Sequence, residues 1–130
     1  VTGLSGGIPA EVTGTFNVAQ GTLAGTFVSG VNNVSAGALA GTQVTGDGNV
    51  GSGFFAGNTV LGNNNVAVGT GSGRNISADN TVSIGNSATA SGFDSIAMGT
   101  TSTASGNQSI AIGMGAVASG NQSISVGYGN

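Results

Sequence analysis

Along this chain a four-residue unit returns in which an apolar residue is followed by a small one and then, two places later, by glycine: Val18–Gly21, Val34–Gly37, Val50–Gly53, Val66–Gly69, Val82–Gly85, Ile96–Gly99, Ile110–Gly113 and Ile124–Gly127. Successive units lie sixteen residues apart up to Val82 and fourteen apart from there on. The second position is small in all of them: Ala19, Ser35, Gly51, Ala67, Ser83, Ala97, Ala111 and Ser125. The third reads Gln20, Ala36 and Ser52 at first, then Val68, Ile84, Met98, Ile112 and Val126. Large, small, large is an alternation of period two, the signature of a strand with one face of each kind. The large face is expected to form the core, through Val66, Val68, Val82, Ile84, Ile96, Met98, Ile110, Ile112, Ile124 and Val126. Half a repeat further on stands another small column, Ala24, Ala40, Ala56, Ser72, Ala88, Ser102 and Ala116, and in the longer units Val28, Val44, Val60 and Ile76 follow it. Each unit thus holds two short strands and two glycine-bearing turns. Gly21, Gly37, Gly53, Gly69, Gly85, Gly99, Gly113 and Gly127 mark the first turn, where the backbone takes φ > 0 or two backbones approach closely.

Two strands in fourteen or sixteen residues make one coil of a solenoid. Equivalent strands of stacked coils then pair in parallel and in register, about 4.8 Å apart, so eight coils form a rod of roughly 38 Å. The expected fold is an all-β parallel β-roll in one continuous domain. Residues 1–16, with Pro9 and the Gly3, Gly6, Gly7 cluster, read as an irregular lead-in or degenerate coil that Phe16 helps to cap. Residues 17–80 are the sixteen-residue coils and 81–130 the fourteen-residue coils, which stop inside the eighth unit, so the natural protein is expected to continue. A single roll this thin buries few large side chains, while ordering the backbone costs at least about 1 kcal/mol per residue. A homo-oligomer is therefore expected, a trimer being the simplest closed arrangement, with the small columns as the candidate faces for close packing between chains.

Composition narrows the chemistry. Glycine fills 27 of 130 positions, and the charged residues are Glu11, Asp47, Arg74, Asp79 and Asp94, with no His, Cys or Trp. Acid–base, nucleophilic and metal chemistry have almost no carriers, so no catalytic residue, cofactor or metal is expected and the protein is read as a non-enzyme. A net charge of −3 with one basic side chain excludes a reader of nucleic acid and an anionic membrane surface as partners. Asp47 and Asp79 share a column with Asn63, two coil rises or about 9.6 Å apart, within the separation of inverting glycosidases. The same slot holds Val31, Phe93, Asn107 and Asn121 in other coils, which makes these residues turn formers. Gly69–Gly73 has the glycines of a phosphate loop but no following Lys or helix. Arg74 stands where other coils have Thr26, Thr42, Asn58 and Ala90, and is read as a solvated side chain or the partner of an acid such as Asp79. Strand alternation sets Phe54 and Phe55 on opposite faces, one of them in the core. The best candidates for ligand contact are hydroxyl ladders: Thr89 and Thr103 with Val117 in one column, and Ser91, Ser105 and Ser119 in another. Many weak contacts along such a ladder would add by avidity.

The units Ser95–Gly99 and Ser109–Gly113, each followed at mid-repeat by Ala-Ser-Gly, and the unit Asn65–Gly69 resemble the head repeats of trimeric autotransporter adhesins, the YadA-like head. The likeness is strong over residues 81–130, follows the same columns over 33–80 and is weak over 1–32. It implies a left-handed parallel β-roll, assembled as a homotrimer and displayed on the outer surface of a Gram-negative bacterium, anchored by a membrane domain that this sequence does not contain. It further implies attachment to host extracellular matrix or cells, and self-agglutination. In that family collagen binding is linked to Asn-Ser-Val-Ala-Ile-Gly-x-x-Ser motifs. The nearest matches are Asp94–Gly99 with Ser102, and Gln108–Gly113, where Ala116 replaces the last Ser. The competing expectation is a structural spacer in a surface fibre, with no ligand site of its own. Ice binding by a threonine ladder fits less well, since that column lapses to Val117 and to Gly25, Gly41, Gly57 and Gly73.

Overall fold

A computed structural model of the chain describes residues 15–129. Among them the secondary structure is entirely strand and turn. One parallel sheet contains eight strands: β1 (Val18–Gln20), β2 (Val34–Ala36), β3 (Val50–Ser52), β4 (Val66–Val68), β5 (Val82–Ile84), β7 (Ile96–Met98), β9 (Ile110–Ile112) and β11 (Ile124–Val126). A second parallel sheet is formed by β6 (Thr89–Ala90), β8 (Thr103–Ala104) and β10 (Val117–Ala118). The register is that of the repeat, Val18 against Val34, Val50, Val66 and Val82 at sixteen residues, then Ile96, Ile110 and Ile124 at fourteen. The second wall of the longer coils is reduced to single bridges, Ser29–Thr45, Val44–Val60 and Val60–Ile76. The fold is a parallel β-solenoid of eight coils. Most of the lead-in expected at residues 1–16 lies outside the described residues; the Thr15 carbonyl already accepts from the Asn32 N–H at 3.1 Å, as later coils do at the same position.

The core is the reverse of the one expected. Ala19, Ser35, Gly51, Ala67, Ser83, Ala97 and Ala111 point inward and are buried, while the large columns on either side point out. Val66, Val82, Ile84, Ile96 and Ile110 are half-buried, and Val68, Met98, Ile112, Ile124 and Val126 are exposed. The reason is the thickness of the roll. The wall opposite the strands is the other small column, Ala24, Ala40, Ala56, Ser72, Ala88, Ser102 and Ala116, which has no exposure at all. A Cβ added to Gly73 would lie 2.5 Å from that of Ala67, so only Ala, Ser and Gly fit between the walls. The small columns let backbones close on each other within one chain, which also corrects the expectation that they meet another chain.

The two coil lengths differ in what fills the second half of the interior. In the longer coils Val28, Val44, Val60 and Ile76 stack as an aliphatic ladder. In the shorter ones the apolar core is alanine alone, Ala88, Ala90, Ala97, Ala104, Ala111, Ala116 and Ala118, with Ser95, Ser102 and Ser109 buried beside it. At the first turn the eight repeating glycines adopt φ between 119° and 133°. A Cβ on Gly69 would come within 2.8 Å of the Gly85 carbonyl oxygen, and the neighbouring coils repeat the contact. Two residues later the chain turns left-handed again at Leu23, Leu39, Phe55, Ser87 and Thr101, with Gly71, Gly115 and Gly129 in the same column.

Candidate functional site

The hydroxyl ladders of the second sheet do face outward. Thr89 pairs in register with Thr103 and Thr103 with Val117. Ala90, Ala104 and Ala118 turn inward beside them, which leaves Ser91, Ser105 and Ser119 exposed on the outer face. Thr89 and Thr103 are half-buried and Val117 is exposed.

The family-like motif has a different role. Within Asp94–Ser102 the residues that define it are interior: Ser95 donates its hydroxyl to the Gly92 carbonyl at 2.6 Å, Ala97 has no exposure, and Ser102 donates to the Gly99 carbonyl at 2.9 Å. Gly99 supplies the turn at φ 128°. These residues build the coil, and a ligand could touch only Asp94, Ile96, Met98 and the turn residues between Met98 and Ser102. Thr100 and Thr101 are exposed there.

The polar columns are structural as well. Asp47 accepts from the Val31 N–H, Asn63 from the Asp47 N–H and Asp79 from the Asn63 N–H, each at 2.8 Å. Asn107 and Asn121 repeat the pattern toward Phe93 and Asn107 at 3.1 Å. Each side chain thereby closes the turn of the preceding coil. A second ladder, not singled out in the sequence, runs inside the roll through Asn17, Asn33, Asn49 and Asn65, all buried. The Oδ1 of each accepts the backbone N–H of the next at 2.9 Å, and Thr81 ends the series by donating both its N–H and its hydroxyl to Asn65. The signal in the sequence is a polar residue immediately before the leading apolar position of every coil: Asn17, Asn33, Asn49, Asn65, Thr81, Ser95, Ser109 and Ser123.

The aromatic and basic outliers gather at one corner. Phe54 and Phe55 pack edge to face with ring centroids 5.3 Å apart. Neither is in the core, because both lie in the turn after Gly53 and not in a strand. Arg74 lies over the Phe55 ring, its Cζ 5.1 Å from the centroid, and Asp79 is occupied elsewhere. Tyr128 and Met114 are exposed at the same corner of later coils. Two open clefts interrupt the surface. One of about 470 Å³ is lined by Phe93, Asp94, Asn107, Gln108, Asn121 and Gln122, and the other, of about 440 Å³, by Gly71, Arg74, Asn75, Ser87, Thr89 and Ser91. Among the described residues no three His, Cys, Asp or Glu side chains come together.

The family model of the YadA head domain repeat matches this chain over residues 77–92, 90–116 and 115–130. These are the fourteen-residue coils and the end of the last sixteen-residue one. No curated protein matches the chain significantly.

Proposed function

From a chain whose C-terminal coils form a YadA-like head domain, we propose that the protein is the head of a surface adhesin that attaches a bacterium to host extracellular matrix or host cells, or to like cells in self-agglutination. The family is one of surface-exposed adhesins and is in general not enzymatic. The observation that carries the proposal is the match of the head repeat to the coils themselves, over the same residues whose Thr89–Thr103 and Ser91–Ser105–Ser119 ladders face outward.

The working form in this reading is a homotrimer. Each chain leaves one continuous apolar stripe uncovered, Val18, Val34, Val50, Val66, Val82, Ile96, Ile110 and Ile124, doubled from Val68 onward by Ile84, Met98, Ile112 and Val126. A long exposed apolar face of this kind marks an association surface, and three such faces meeting on an axis would bury it. The ligand-facing surface is then the remaining outer wall, where the hydroxyl ladders lie, and the fibre would stand on the outer membrane through a part of the protein beyond these coils.

The test is solid-phase binding of the purified chain to collagen, fibronectin, laminin and cultured cells. Saturable attachment to any of them supports the adhesin; silence on every one would instead favour a spacer that holds another domain away from the cell.

A further inference from the structure

We infer that the cleft at Arg74 is a binding site for an acidic sugar, one that carries a carboxylate or a sulfate. The inference rests on the adhesin reading and names a ligand class for it.

The cleft exists because the coil length changes there. Residues 66–81 form the last long coil, with Ile76 ending the aliphatic ladder, and the next coil is two residues shorter. The pairing column of the second wall reaches Ile76 and begins again at Thr89–Thr103; among the described residues no bridge joins the two stretches. The two coils stay tied beside this break, where the Gly73 N–H donates to the Ala88 carbonyl and the Ser87 N–H to the Thr70 carbonyl, each at 2.9 Å. Gly71, Arg74 and Asn75 come from above the step and Ser87, Thr89 and Ser91 from below, around about 440 Å³ of open space.

The step carries the one basic side chain of the entire chain. Its guanidinium is held by the Phe55 ring, and no other partner engages it among the described residues. An aromatic face supports a cation while leaving the in-plane N–H groups free, and that planar fork matches the two oxygens of a carboxylate or sulfate. A single solvated ion pair binds weakly, so the rest of the cleft decides the ligand. Asn75, Ser87, Thr89 and Ser91 offer an amide and three hydroxyls, groups that both donate and accept. Ser87 already donates its proton to Asn86 Oδ1 at 3.0 Å and presents its lone pairs. Such a lining suits the vicinal hydroxyls of a sugar better than a bare anion, which needs donors only. Gly71 lines the cleft in the left-handed region at φ 64°, and a Cβ there would sit at ordinary contact distance from Ser87 Oγ and Arg74 Cδ, 3.7 and 3.8 Å.

The experiment measures binding of the intact 130-residue chain to surfaces bearing sialyllactose, 6-sulfolactose or plain lactose, with attachment to matrix proteins and cells scored on the same preparation. The expected result is saturable binding of at least one acidic probe, at least tenfold tighter than lactose, with the two acidic arms reporting which oxyanion is preferred. Arg74→Asn, the residue at Asn58 one coil earlier, should weaken that binding at least tenfold. Thr89→Val, the residue type at Val117 in the same column, should weaken it severalfold, with thermal melting unchanged in both. Lactose bound as well as the acidic probes, or full affinity in Arg74→Asn, overturns the site. If neither acidic sugar binds while matrix or cells are still held, the cleft is wrong and the adhesin stands. If the acidic sugar binds through Arg74 but no matrix protein or cell is held, the cleft stands and the adhesin reading fails.

Discussion

Asn49 ties three successive coils together from inside the roll. Its N–H donates to Asn33 Oδ1, its Oδ1 accepts from the Asn65 N–H and its Nδ2 donates to the Gly62 carbonyl, all at 2.9 Å. Asn49→Ala removes the side chain and leaves a buried N–H and a buried carbonyl without partners. Each unsatisfied group costs about 1–3 kcal/mol, so the variant should lose at least about 2 kcal/mol in denaturant unfolding. A loss within the range of a surface substitution would show that the ladder is decorative. Thr101 makes the opposite case. It is held at φ 57° on an exposed turn where Gly71, Gly115 and Gly129 serve other coils. A β-branched residue in the left-handed region costs about 1–2 kcal/mol, part of which the greater freedom of unfolded glycine offsets. Thr101→Gly should therefore raise stability by about 0.5–1 kcal/mol, read as a higher melting temperature.

The coil turns about its glycines and its second wall, and these tolerate little. Gly69→Ala would force a Cβ to 2.8 Å from the Gly85 carbonyl oxygen at φ 119°. With about 1–3 kcal/mol for the strained backbone and a steric clash in addition, the expected loss is at least about 2 kcal/mol, or failure to fold. Ile76→Ala should cost about 2–5 kcal/mol as a cavity under the step, since Ile76 is 1% exposed and no large side chain of the next coil can fill the space. The coil itself was legible from the sequence, because in-register stacking repeats every residue type at one spacing: period, pairing register and turn columns all follow from Val18, Gly21 and their equivalents. The facing of the strand was not. Alternation distinguishes two faces without saying which is inside, and the habit that large apolar residues go to the core fails where the walls are too close for anything beyond Ala and Ser. Phe54 and Phe55 misled for a related reason, since the strand ends at Ser52 and alternation ends with it. The Arg74 cleft depends on where long and short coils abut, and the lining residues belong to different columns that no single repeat brings into view.

At the scale of the whole molecule the outward apolar stripe sets the problem that assembly would solve. Behind the eight-stranded sheet each chain has room for small residues alone, its large interior side chains being Val28, Val44, Val60 and Ile76, and the Val, Ile and Met of that sheet lie on its outer face, so covering that face would add about 1 kcal/mol or more per half-exposed aliphatic side chain. Scarce charge fits the same arrangement: an in-register solenoid repeats any column about every 4.8 Å, and threefold symmetry would bring three copies of it together. The double variant Ile96→Asp/Ile110→Asp places carboxylates on adjacent strands β7 and β9, where the native side chains are half-buried and face away from the roll interior. Light scattering coupled to size-exclusion chromatography should find the native chain as three 12.1 kDa subunits and the variant dissociated, with a lower melting temperature that no longer depends on protein concentration. A native chain that runs as a folded 12.1 kDa monomer would remove the trimer. A double variant that keeps the native mass would leave the assembly but move its interface off this sheet, because two buried carboxylates per subunit could not be accommodated on the axis without partners.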